Sequence, residues 1–135
     1  MDHAATLRRV YDLLSAHDVD AFGETLADDF VEHETLPTGD PTRKGVMDLF
    51  RAYIGAFPDL AMTVEDIVDG GDKLAARVRL TGTHRGDLLG IPATGRSIDV
   101  QLIDVMRFAD DGLIHEHWGV FDALTMMEQL GAAPG

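Results

Sequence analysis

Residues 114–122 of this 135-residue chain read IHEHWGVFD and hold two histidines, a glutamate, the sole tryptophan and an aspartate. Carboxylates and imidazoles among apolar neighbours suit proton transfer. A second polar interruption lies at Asp104. Alternation over 97–108 puts Ile98, Val100, Leu102, Asp104, Met106 and Phe108 on one face. A carboxylate on an apolar face must be paired, hydrogen-bonded or protonated. Asp104 is therefore either satisfied by an arginine or backbone donor, or it is an acid lining a pocket.

Strict alternation over 114–122 places Ile114, Glu116, Trp118, Val120 and Asp122 on one face, with His115, His117 and Phe121 on the other. A bulge at Gly119 would change that parity, so His117 stays a candidate for the inner face. Trp118 reads as core or pocket wall. Asp122 reads as the N-cap of a last helix or as an acid, and the two roles are compatible. His33 alternates with Val31 and reads either as inward-pointing or as a partly exposed histidine, while His84 reads as a turn residue. Tyr11 and Tyr53 read as core residues with hydroxyls at an edge. Asp122, Trp118 and Asp104 are expected to line one pocket.

Other chemistries lack their residues. Cysteine is absent, which removes disulfides, thiol catalysis and cysteine–metal sites. His115 and His117 are one residue apart, and adding Glu116 makes no recognisable zinc signature, so no metal is expected. There is no glycine-rich dinucleotide motif and no P-loop. Ser15 and Ser97, the only serines, lie outside any nucleophile elbow.

The elements that must position these residues run helices first and strands later. Residues 4–16 carry Leu7, Val10, Tyr11 and Leu14 at helical spacing, and Asp18 caps a short second helix with Val19, Phe22 and Leu26. "DFVEHE" is a brief strand and "TLPTGDPTRKG" a loop. A third helix bears Met47, Phe50, Tyr53 or Ile54, and Phe57 on one side, and ends before Pro58. Strands follow over 61–69, 73–84, 97–108 and 113–121, with turns at "DGGD" and "ADDG". A last helix covers 122–130 and stops at Gly131. This order predicts one α+β domain over 1–135, a curved antiparallel sheet packed on N-terminal helices with a cone-shaped pocket between them.

The formal charge is −13, from 24 acidic and 11 basic residues. Such a field repels nucleic acid and anionic membranes. It is compatible with an ordinary acidic protein of a GC-rich genome or with adaptation to high salt. The first residues, MDHAATLRRV, lack the apolar stretch of a secretory signal, and no window is apolar enough for a span. The expected location is cytoplasmic.

The joint occurrence and order of "DDFVEHE", "GIPATGR", "RFADDGLIHEHW" and the closing "QLG" resembles the SnoaL-like polyketide cyclase (ester cyclase) family of the NTF2-like, ketosteroid-isomerase-like superfamily. The resemblance covers nearly the whole chain. It implies an α+β cone, usually a homodimer or homotetramer, that binds a small hydrophobic molecule and needs no cofactor. It implies a cofactor-independent intramolecular aldol cyclisation of a polyketide ester. The family's catalytic aspartate, at the end of the last long strand, matches Asp122. His117 and His33 would polarise substrate oxygens, Trp118 would form a wall, and Asp104 would join the site. The same superfamily holds isomerases, dehydratases, epoxide hydrolases and binding domains without turnover, and these are the alternatives.

Overall fold

The computed structural model of the chain describes residues 2–132. Helix α1 (His3–Ser15) starts where the Asp2 carboxylate accepts the Ala5 N–H, and buries Leu7, Val10, Tyr11 and Leu14. Asp18 caps α2 (Val19–Glu24) in the same way. Strand β1 (Leu26–Glu32) leads through a loop to α3 (Arg43–Ala56), capped by Thr42. Strands β2 (Ala61–Asp69), β3 (Lys73–Thr83), β4 (Ser97–Phe108) and β5 (Ile114–Phe121) follow, then α4 (Ala123–Leu130). Gly131 ends α4 at φ 72°, a left-handed conformation that glycine adopts without a Cβ penalty.

The five strands form one curved sheet in the order β1-β5-β4-β3-β2. The fold is α+β as expected, with one difference: the sheet is mixed. β2 to β5 are antiparallel neighbours, but β1 joins β5 in parallel. The first strand thus lies beside the last.

Alternation on the two long strands holds. Leu74, Ala76, Val78 and Leu80 of β3 are buried, as are Ile98, Val100, Leu102, Asp104, Met106 and Phe108 of β4. On helix α3 the expected stripe holds in part: Phe57, just past the helix, is fully buried and Phe50 and Tyr53 line the inner side, but Met47 is only partly buried, and Val46, Leu49 and Ala56, outside that stripe, are buried. Ser15 ties the end of α1 to β2: its hydroxyl donates to the Met62 carbonyl (3.2 Å) and accepts the Met62 N–H (2.8 Å). His84 is a fully buried residue and not merely a turn residue; it stacks obliquely on Phe57 while its Nδ1 accepts the Thr94 N–H at 3.2 Å.

Candidate active site

Between helices and sheet lies a cavity of about 340 Å³. That is the size range of small-molecule sites. Its walls are mainly apolar, with Leu14, Phe22, Phe30, Leu49, Phe50 and Leu60 among them. Its polar groups are Tyr11, Glu32, Glu34, Thr35, Tyr53, Asp104 and His117; among the described residues, no lysine or arginine lines it.

A bulge in β5 determines which side chains reach this cavity. Arg107 pairs with Glu116 and Phe108 with Ile114, which leaves His115 as the extra residue. One extra residue reverses every later side chain. Ile114 and His117 therefore both point inward, and Gly119 and Phe121 share their face: Met106 faces His117, Asp104 faces Gly119 and Leu102 faces Phe121 across the ladder. The bulge lies four residues before the Gly119 position considered from sequence. By the same parity Trp118, Val120 and Asp122 fall on the outer face.

The inner polar groups form one chain of hydrogen bonds. Tyr11 donates its hydroxyl to Asp104 Oδ2 at 2.7 Å, His117 Nε2 meets Asp104 Oδ1 at 2.6 Å, and His117 Nδ1 meets Glu32 Oε1 at 2.5 Å. Both imidazole nitrogens face carboxylates, so both carry protons and His117 is an imidazolium. Burial alone would lower its pKa. The hydrogen bonds from Asp104 and Glu32 and the charges of both carboxylates outweigh burial and push it up to about 10. Tyr11 is raised well above the ordinary phenol value, first by burial, then by the Asp104 charge and hydrogen bond, so its proton is retained. Gly119 makes the arrangement possible. A Cβ there would lie 2.7 Å from His117 Nε2 and 2.8 Å from Asp104 Oδ1. The imidazole lies across the space that a side chain would fill.

Glu32, Glu34 and His117 also place metal-type ligand atoms within 4.8 Å of one another. Both ring nitrogens of His117 carry protons held by carboxylates, so a cation here would have to displace the proton that Glu32 holds on Nδ1.

Of the residues singled out from sequence, Asp104 and His117 are brought together, 2.6 Å apart. Trp118, His33 and Asp122 are not with them, so the expected shared pocket of Asp122, Trp118 and Asp104 is corrected. Trp118 lies on the other face of β5 and stacks on His33, with centroids 4.7 Å apart and planes 9° apart. His33 bonds Glu116 at 2.9 Å, and Arg107 bonds the other Glu116 oxygen at 2.9 Å. Val31 and His33 do share a face, but it is the outer one, since Phe30 and Glu32 take the inner face. Asp122 caps α4 in solvent, accepting the Thr125 N–H at 3.1 Å and hydroxyl at 2.6 Å, and these bonds hold its pKa below the usual value. A carboxylate with a lowered pKa is a poorer base. Asp122→Asn, which retains an acceptor for Thr125, is expected to leave turnover and thermal midpoint at wild-type values. Asp122→Ala is expected to lower the midpoint alone. Paired melting curves and rate assays check both.

Tyr11, Glu32 and Glu34 were not identified as functional from sequence. For Glu32 a signal existed: it alternates with Phe30, a larger apolar residue than Val31.

Aklanonic acid methyl ester cyclase DauD of Streptomyces sp. (strain C5) is 33% identical over 125 residues, covering 84% of this chain and 76% of that protein. The crystal structure of IdmH from Streptomyces antibioticus superposes with a TM-score of 0.83 at 33% identity, covering 97% of this chain and 99% of that one. TsrD from Streptomyces laurentii gives 0.83 at 30% identity, covering 95% and 96%. The family model described as SnoaL-like polyketide cyclase matches residues 4–130. The chain belongs to the SnoaL-like polyketide cyclase family.

Proposed function

We propose that the chain closes a ring in a hydrophobic polyketide ester by a cofactor-independent intramolecular aldol reaction. The observation that carries this reading is the Tyr11–Asp104–His117–Glu32 chain at the polar side of an otherwise apolar cavity. The methyl ester named for DauD supports the ester as the substrate class.

The reaction needs a proton removed between carbonyl groups, an oxyanion stabilised, and the folded substrate held for attack. The apolar walls hold the substrate and lower the entropic cost of closure. Tyr11 and His117 both retain their protons at neutral pH, and a substrate oxygen on which charge develops gains a donor when it replaces Asp104 or Glu32 as the acceptor of one of them. Asp104 accepts from each of them and so fixes both. The proton transfers sit at this inner cluster and not at Asp122. Ile103 and Val120, exposed and paired across β4 and β5 on the outer face, support the homo-oligomer implied by the family.

The test is turnover of an aromatic polyketide methyl ester by wild type and Asp104→Asn, with product mass and chirality. Cyclisation is expected in wild type and a loss of about 100-fold or more in the variant, the scale for removal of a donor or its anchor at an oxyanion site. A folded wild type that binds such esters without turning them over would assign the chain to the binding domains of the superfamily.

A further inference from the structure

We propose that Glu34 is the catalytic base that takes the substrate C–H proton and later returns it. This deepens the cyclase reading and rests on it. Both oxygens of Asp104 are occupied, by His117 and Tyr11. Glu32 Oε1 accepts from His117 and also from the Glu34 backbone N–H at 2.9 Å; its other oxygen has no such partner among the described residues, but the carboxylate is buried and its charge is paired directly with His117. The Glu34 carboxyl, among the described residues, receives no hydrogen bond, yet it lines the cavity with ligand-type oxygen within 4.8 Å of His117 and Glu32.

Charge balance supports the same residue. His117 supplies one positive charge between Glu32 and Asp104, which it pairs directly. Glu34 is the third carboxylate in the same space. Its pKa is raised above the usual glutamate value: burial raises it, the His117 charge opposes, and Asp104 and Glu32 raise it further. Tyr53 of α3 also faces it; its hydroxyl is held neutral by burial and by the Glu34 charge. An ordinary carboxylate is a weak base toward a carbon acid, and one moved toward the working pH is a better one.

Glu34 lies in the loop after β1, fixed by its N–H on Glu32, and lines both the main cavity and a shallower pocket formed by residues 32–36 and 39–41. The atoms balance on one group. The C–H bond breaks, its electron pair passes into the flanking carbonyl as an enolate, and an O–H bond forms on Glu34. The enolate carbon then attacks the second carbonyl, whose π pair becomes an alkoxide, and Glu34 returns its proton there. No oxidant or reductant is involved.

The experiment follows two readouts in wild type, Glu34→Gln and Glu34→Asp. One is exchange of C–H for C–D in an aryl β-keto methyl ester in heavy water, above the uncatalysed rate. The other is ring closure of the polyketide ester. Glu34→Gln is expected to fold as wild type and to lose both by about 100-fold or more, with partial recovery in Glu34→Asp and an acidic limb in the wild-type pH–rate profile above the usual glutamate range. Exchange in folded Glu34→Gln within about threefold of wild type would overturn the proposal. Wild-type exchange lost in Glu34→Gln, without ring closure in wild type, would uphold Glu34 and overturn the cyclase reading. A folded wild type that neither exchanges nor closes the ring would overturn both.

Discussion

His117→Gln is expected to lower unfolding free energy at pH 7 by about 3–5 kcal/mol, the usual cost of removing one partner from a buried charge pair. The loss comes from what remains. Glu32 and Asp104, both buried, would share the space without the cation that satisfies them. The pH dependence gives the sign. The folded pKa of His117 is about 10 and the unfolded value about 6.5. The folded state therefore binds the extra proton between these values. The stabilisation is complete below about pH 6.5 and is lost as pH rises toward 10. Denaturant unfolding at pH 6, 8 and 10 should show this decline in wild type, and Glu32→Gln with Asp104→Asn added to His117→Gln should recover stability. A His117→Gln protein as stable as wild type at pH 7 would contradict the buried imidazolium.

Gly119→Ala is expected to lower turnover by about 100-fold or more, the scale of an ångström-sized misplacement at a reacting centre. The added methyl would lie 2.6 Å from His117 Cε1 and 2.8 Å from Asp104 Oδ1. Those atoms belong to side chains locked by a mutual hydrogen bond, so relief requires breaking it. Overpacking of this kind costs about 1–3 kcal/mol, enough to shift the melting point without abolishing the fold. The backbone is ordinary extended strand, so the effect arises from space alone. A crystal structure of the variant with the His117–Asp104 bond intact, together with wild-type turnover, would refute the argument.

The long strands were legible because both faces of β4 are marked by regular alternation, and Asp104 breaks an apolar row. The caps at Asp18 and Gly131 were legible for equally local reasons. The site was legible in half. Strict alternation on β5 runs through the bulge at His115 and so assigns Trp118 and Asp122 to the face that His117 takes. A bulge at a non-glycine residue leaves little trace in a single sequence. For β1 the choice lay between a face with Val31 and His33 and one with Phe30 and Glu32. What decides it is the parallel pairing of Glu32 with His117, a contact 85 residues apart. Tyr11 meets Asp104 across 93 residues, beyond the reach of any local pattern.

That the first strand pairs with the last has a consequence for synthesis. The chain emerges N-terminal end first. Tyr11 and Glu32 leave the ribosome long before Asp104 and His117 exist to meet them. In the sheet order β1 neighbours β5 alone, so β1 has no strand to pair with until residues 114–121 are made. A nascent chain stalled before β5 would hold Glu32 and Asp104 without the imidazolium that pairs them. The Tyr11–Asp104–His117–Glu32 cluster is complete only once β5 has been made, and a ligand that requires it will recognise only completed molecules.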